Sequence, residues 1–434
     1  MNKNGKLQGS PHPKIFAFSL FFALYVLALS VAAQGGLNVN FSDVHQRIDG
    51  FGASDAWNGT LSDAQADLFF SATNGIGLSI LRVGLDSGGN SMAAYSNATK
   101  AAARGAIVWA APWTAPGNWK DNGSETNGGH LLPANYDAWA TRLAGFAGRL
   151  QQNAGVPLYG LSVQNEPDYT APYVSMLYTN QEMTNFVKVL GPKLAALNPR
   201  PKLIMPDLAV WGNAWGYTSS VLADSVAAPY VDFFAVHQYG GISAPQTAAR
   251  PIWETEQSSF EGFDPSIGNG LMVARWVHDS IVTGNVSAWH YWWLIGLNGD
   301  NEGLVGGGGQ ITKRLYTLGN FSKFVRPGYM MVGVTGAPGG VSATAYKDPA
   351  TGKFVIVAIN QNGADVPLNV TFNGMSAGSV TPWVTSNSVN LAQQSALAVS
   401  GGSFTTTLQA ASVTSFVGTS GIAPPAAPTG LVIH

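Results

Sequence analysis

Between residues 50 and 295 the chain repeats one pattern. Short apolar or β-branched runs fall at 50–54, 78–84, 106–113, 158–166, 202–208, 231–239, 251–257 and 288–295. Several are nearly unbroken, as strands buried on both faces require. Most of the stretches between them place apolar residues at helical spacing. Within 136–152, Leu143, Phe146 and Leu150 share a side; within 181–197, Phe186, Val189, Leu190 and Leu194 do; 271–281 is another such segment. Eight strands alternating with helices over roughly 250 residues predict an α/β fold of the (β/α)8 TIM-barrel kind. An open doubly wound sheet is the alternative. It would want a glycine-rich phosphate loop after an early strand, whereas Gly50 and Gly52 lead to Asp55 and Trp57.

Beyond about residue 331 the periodicity becomes that of strands alone. Runs at 341–346 and 353–359, with Asp348, Pro349 and Gly352 between them, predict a β-hairpin. Further strand-like runs at 366–372, 380–385, 404–408 and 412–417 complete a small β-sandwich. Residues 37–41 and 44–48 can add strands to it, so a side β-sandwich built from both chain ends is expected beside the barrel. The resulting division is 34–48 for N-terminal strands, 49–328 for the barrel, 329–418 for the sandwich and 419–434 for a tail. The tail is a Pro/Ala-rich linker at 423–428, and Pro428 to Leu431 resemble the start of a fibronectin type III module.

The first 33 residues read differently. Lys3, Lys6 and Lys14 precede an apolar run at 15–33, with Val31 and Ala33 before a cleavage point near Gln34. This is the layout of a signal peptide, and secretion is the expectation; an uncleaved membrane anchor is the alternative. No later run is apolar enough to span a bilayer. The chain has no cysteine, which removes disulfides, thiolate catalysis and thiolate metal sites. Sequons stand at Asn58 and Asn97.

Charged residues make up only 11%, and the formal net charge is −2. Without Lys/Arg clusters there is no footprint for nucleic acid. A weakly charged, Trp-rich chain suits a neutral, hydroxylated ligand instead. Barrel chemistry sits at the carboxyl ends of the strands, and two glutamates stand there. Glu166 ends the fourth run in Ser162-Val163-Gln164-Asn165-Glu166-Pro167, and Glu256 lies near the end of the seventh in Trp253-Glu254-Thr255-Glu256-Gln257. A pair of carboxyls flanking a glycosidic bond can cleave it, one as proton donor and the other as nucleophile or base. Either glutamate alone could equally be a rim ion pair. Glu254, two residues before Glu256 and on the same side of a regular strand, is a competing candidate. The seven histidines are scattered, with no H-E-x-x-H spacing, so no metal or other cofactor is expected. Residues 374–378 fit G-x-S-x-G, but in an all-β region they read as a turn.

Asn165-Glu166-Pro167 on the fourth strand with Glu256 on the seventh is similar to the pattern of the retaining glycosidases built on barrels. Within these the chain resembles glycoside hydrolase family 30, in particular its bacterial xylanase branch. The matching stretches are Ile48-Asp49-Gly50-Phe51-Gly52, Ser79-Ile80-Leu81-Arg82, residues 162–169, Trp292-Trp293 and residues 321–328. The resemblance implies that Glu166 is the acid/base and Glu256 the nucleophile. Asn165 would bind the 2-hydroxyl, and Arg82 would pair with the nucleophile and keep it ionised. His237 and Tyr239 would border the nucleophile, and Trp113 and Trp293 would wall the sugar. Trp57, Tyr169, Trp211 and Trp215 are further cleft candidates. Packing is the alternative reading for each Trp, and a core role for His237.

The resemblance also has a gap. Glucuronoxylan-specific members carry an arginine shortly after the paired tryptophans, where it clamps the acidic branch. Here Gly296 and Leu297 stand in that place, and the next arginine is Arg314. The expectation is a secreted, monomeric endo-β-1,4-xylanase acting on a polysaccharide substrate without requiring that branch. The alternatives are a β-1,6-glucanase, a β-1,6-galactanase, a xylobiohydrolase or a non-catalytic carbohydrate-binding protein.

Overall fold

The computed structural model describes residues 35–421, apart from Gln246 and Ala248. The expected signal peptide and the Pro/Ala-rich segment lie outside the described residues. Eight parallel strands form the central sheet: β1 (Gly50–Ser54), β2 (Ile80–Leu85), β3 (Ile107–Pro112), β4 (Gly160–Ser162), β5 (Lys202–Leu208), β6 (Val231–His237), β7 (Ile252–Gln257) and β8 (Val286–Ile295). Each pairs with the next, and β8 pairs with both β7 and β1, so the sheet closes into a barrel. A short strand, Gly303–Val305, pairs in parallel with the end of β8.

Strand alternation divides the apolar residues between two cores. Ile80, Trp109, Ile204, Phe233, Ala235 and Trp253 fill the barrel. Their neighbours Leu81, Val83, Val108, Leu203, Met205 and Phe234 pack outward with the helices. Both faces are therefore buried, which is why the runs are nearly continuous in apolar character. Arg82 is two residues from Ile80 and His237 two from Ala235, so the same alternation turns both polar side chains inward.

The helical segment at 136–152 is two helices, Tyr136–Ala144 and Phe146–Ala154, separated at Gly145. Glycine is a poor helix former, and its ψ of −17° falls short of the helical value. Helix Asn180–Ala195 begins with a reciprocal cap between Thr179 and Glu182. Ile267–Val282 is the third anticipated helix. Among the described residues no helix is long and apolar enough to cross a membrane.

The side domain is one ten-stranded sheet. Gly35–Arg47 lies within it, antiparallel to Met330–Thr335 and parallel to Val366–Asn373, so the two ends of the described chain share one sheet. The sheet curls into a sandwich: Phe404 and Phe416, on strands far apart in its order, meet with ring centroids 5.2 Å apart. Strand Lys353–Asn360 shows how it is joined to the barrel. Phe354, Ile356 and Ala358 enter the sandwich core, while Val355, Val357 and Ile359 join the core of the barrel helices. The G-x-S-x-G segment supplies the connection between two strands at residues 374–376, with Gly374 at φ +77°, and its last two residues open the second strand. Both cited sequon asparagines are buried. Asn58 caps the end of β8 through Ile295, and Asn97 holds the Leu61 amide and Asp55, so neither can carry a glycan on the folded protein.

Candidate active site

Glu166 and Glu256 open on one cleft of about 630 Å³ at the carboxyl ends of the strands. Trp57, Trp113, Asn165, Tyr169, Tyr239 and Trp293 stand on its walls. Arg82 and His237 lie beneath, with no exposed surface. Trp211 and Trp215 line a separate apolar recess of about 290 Å³ that shares no residue with the cleft.

Regular pairing of β4 ends at Ser162, well before Glu166. The chain stays fixed because Val163 N donates to Ile204 O (3.0 Å), Asn165 N to Pro112 O (2.8 Å) and Glu166 N to Asp207 O (2.9 Å). Glu166 itself adopts φ +48°, a left-handed conformation that costs a non-glycine residue energy. Such strain persists where surrounding bonds over-determine it, as they do here.

Glu256 reaches the barrel mouth through an irregularity. Trp253 faces the barrel interior, and a residue three further on a regular strand would face away. Pairing shifts register after Glu254 on both sides of β7, and this bulge re-aims Glu256. Glu254 is fully buried, accepting from Glu256 N at 3.2 Å and His290 N at 3.0 Å, and is not among the cleft residues. Burial raises its carboxyl well above the usual range. A second shift in β8, between Tyr291 and Trp293, lets the consecutive Trp292 and Trp293 both face the interior. Their rings stack with centroids 4.9 Å apart.

Arg82 organises the floor. Its guanidinium donates to Glu256 Oε2, and to Asn165 Oδ1 at 2.5 Å. It lies 5.0 Å from the Trp113 ring and 5.4 Å from that of Trp109. Tyr239 OH donates to the other Glu256 oxygen at 3.0 Å. His237 Nδ1 donates to Glu166 Oε1 at 3.1 Å and stands 3.9 Å from Glu256 Oε2. His237 therefore sits between the two carboxyls.

Asp207, at the end of β5, completes the cluster and went unrecognised in the sequence. Its Oδ2 is 3.5 Å from Arg82, and its Oδ1 is 3.3 Å from His237 Nε2 and accepts from Thr255 at 2.6 Å. Burial acts to raise the Asp207 carboxyl, but Arg82, His237 and Thr255 together hold it down to about 2. Burial likewise acts to lower His237, yet Glu256, Asp207 and Glu166 push it up to about 10. Burial raises Glu256, with Glu166 adding to the rise, while His237 and Arg82 oppose it. The positive Arg82 and His237 thus stand among the acidic side chains of Asp207, Glu256 and Glu166.

One carboxylate or imidazole atom from each of Glu166, His237 and Glu256 lies within 4.8 Å of the others. The set fits a cation poorly, because a protonated imidazole has no lone pair to give. A sequence signal for Asp207 existed, an acid ending the apolar run Ile204-Met205-Pro206. None existed for the inward turn of Trp292 or for the cleft residues Tyr173, Phe260 and Glu302, which depend on a bulge and on loop paths.

Two facing carboxyls over a buried arginine, on the fourth and seventh strands of a barrel, define a glycoside hydrolase site. The family model for the glycosyl hydrolase family 30 TIM-barrel domain matches residues 90–257. Glucuronoxylanase XynC of Bacillus subtilis (strain 168) is 33% identical over 409 residues, covering 90% of this chain and 93% of the relative. The glycoside hydrolase family 30 subfamily 8 xylanase Xyn30A from Clostridium acetobutylicum superposes with a TM-score of 0.79 at 35% identity, over 88% of this chain and 99% of that one. A family 30 endoxylanase from Clostridium papyrosolvens C71 gives a TM-score of 0.76 at 35% identity, over 88% and 100%. The chain belongs to glycoside hydrolase family 30 and is a retaining glycoside hydrolase.

Proposed function

We propose that the protein is a secreted endo-β-1,4-xylanase that cleaves the xylan backbone without needing a glucuronic acid branch. The observation that carries the mechanism is the close approach of the two glutamates, with carboxylate oxygens within 4.8 Å of each other. That is close to the carboxyl separation of about 5–5.5 Å at which direct attack occurs, and well short of the roughly 6.5–9.5 Å of inverting pairs. Glu256 attacks the anomeric carbon as Glu166 protonates the departing glycosidic oxygen, giving a covalent glycosyl-enzyme. Glu166 then takes a proton from water, which attacks the same carbon and releases Glu256. Each of the two displacements inverts the anomeric carbon, so the configuration is retained overall.

The other residues serve this chemistry. Arg82 and Tyr239 orient Glu256 and spread its charge, and Arg82 also fixes the Asn165 amide so that Nδ2 can meet the 2-hydroxyl. His237 donates to Glu166 and holds its carboxyl toward the leaving oxygen. Trp57, Trp113, Trp293 and Tyr169 offer ring faces to the C–H faces of the sugar. The xylan reading rests on the xylanases that share most of this chain's length. Branch independence rests on the loop after β8, where Gly296 and Leu297 replace a guanidinium. Export through residues 1–33 rests on the lysines and apolar run there, and a single-chain enzyme of barrel 49–328 and side domain 34–48 with 329–418 is the working unit.

The test is hydrolysis of unbranched xylooligosaccharides and of glucuronoxylan, with products sized. Cleavage of both, with internal cuts, is expected. Activity on glucuronoxylan with none on unbranched chains overturns branch independence. Inertness toward both overturns the xylan assignment and moves the search to β-1,6-linked glucans and galactans.

A further inference from the structure

Glu302 lies on the cleft wall after β8, beside Trp293 and Asn298. It is held firmly there. Its carbonyl accepts from Trp293 N at 3.1 Å, its amide donates to Asp300 Oδ1 at 3.1 Å, and its Oε2 accepts from Asn298 Nδ2 at 2.9 Å. Only 7% of the residue is exposed. Such a carboxyl normally has a cation beside it. Here the charged groups acting on it are Asp300, on its own loop, and Glu256, on β7, both acidic. Tyr173 and Tyr291 are the other titratable groups it influences. The nearby Arg314 directs its guanidinium to Gly303 O, Asp264 O and the Asn269 and Asn301 side chains instead. Burial, with Asp300 and Glu256, pushes the Glu302 carboxyl up to about 7 against the Asn298 bond.

The geometry points to Glu302 as a specificity residue that turns away glycan substituents carrying a carboxylate and admits uncharged ones. The loss of arginine from this loop removes an attraction for an acidic branch; Glu302, once ionised, adds a repulsion. Discrimination between ligands of one shape often rests on such a placed like charge. An uncharged substituent meets an acceptor for its hydroxyl, whereas an acidic one brings a further anion to a wall with no cation among its described residues. This inference rests on the xylan reading above.

The experiment compares three xylooligosaccharides of equal length: unbranched, bearing one glucuronic acid, and bearing the methyl ester of that acid. The ester keeps the shape and removes the charge. Work above the Glu302 titration keeps its carboxylate ionised. The readout is the ratio of kcat/KM for ester over acid, in which a general loss of activity cancels. Wild type is expected to favour the ester by about five- to tenfold, the size of a partly screened like-charge contact. Glu302→Gln should bring the ratio close to one, and Glu302→Asp, which keeps the charge, should preserve most of it. A wild-type ratio near one, an unchanged ratio in Glu302→Gln, or an equal collapse in Glu302→Asp overturns the inference while cleavage of the unbranched chain leaves the xylan reading intact. Failure of wild type to cleave any of the three overturns the xylan reading and this inference with it.

Discussion

Replacing Asp207 with Asn tests whether the buried charges form one balanced unit. The side chain keeps its shape and loses its charge, leaving Arg82 and His237 to share Glu256 and Glu166. Asp207 falls from its ordinary 3.8 to about 2 on folding. A displacement of that size corresponds to about 2–3 kcal/mol. Removing one partner from a buried ionic cluster costs about 3–5 kcal/mol in general, so a loss of about 2–5 kcal/mol near neutral pH is expected. The folded value is depressed, so the contribution is fully present above 3.8 and is lost as pH falls toward about 2. His237 has the opposite sign: raised from 6.5 to about 10, it contributes fully below 6.5 and loses that contribution as pH climbs through about 10. Urea unfolding followed by tryptophan fluorescence, across pH, measures both. The gap between wild type and Asp207→Asn should close in acid, and the alkaline loss, which begins near 6.5 in both, should be complete at lower pH in the variant. A gap that stays constant into the acid range, or a variant as stable as wild type, refutes the reasoning.

Glu256→Gln should reduce glycan hydrolysis by on the order of 10⁴ or more while still binding oligosaccharide, measured by turnover and calorimetry. Loss of both would mark a structural residue. Glu166→Ala should slow cleavage of natural glycan by roughly 10²–10⁴, yet spare formation of the glycosyl-enzyme from aryl glycosides whose phenol leaves unaided. Equal damage to both substrates would deny it the role of acid. Trp57 packs its ring edgewise to Trp113 at 5.3 Å and is 38% exposed. Trp57→Ala should therefore weaken substrate binding by about 0.5–1.5 kcal/mol, read as a rise in KM; a change confined to thermal stability would make it a packing residue. Expression in a glycosylating host should leave Asn58 and Asn97 unmodified on folded protein, by mass spectrometry of its peptides. A glycan at either would contradict their burial.

Much of this protein was legible in the chain itself. Burial on both faces forces unbroken apolar strands, so β1 to β8 announce themselves in the sequence, and barrel closure brings the ends of β4 and β7 to a common rim. Alternation alone turns Arg82 and His237 inward, since each sits two residues from an interior apolar partner. Glu166 was marked by its Asn and Pro neighbours, and Glu256 by its place near the end of a run. The tertiary structure decided what alternation cannot express. A bulge in β7 re-aims Glu256 and leaves Glu254 buried out of the cleft, and another in β8 puts Trp292 beside Trp293. A bulge depends on pairing with two neighbours at once, which no local pattern encodes. Asp207 became part of the site only when closure set it against Arg82 and His237, and Trp211 and Trp215 left it because their segment lines another recess. The strands and their order follow from local periodicity; which buried charges meet beneath the cleft follows from contacts between residues far apart in the chain.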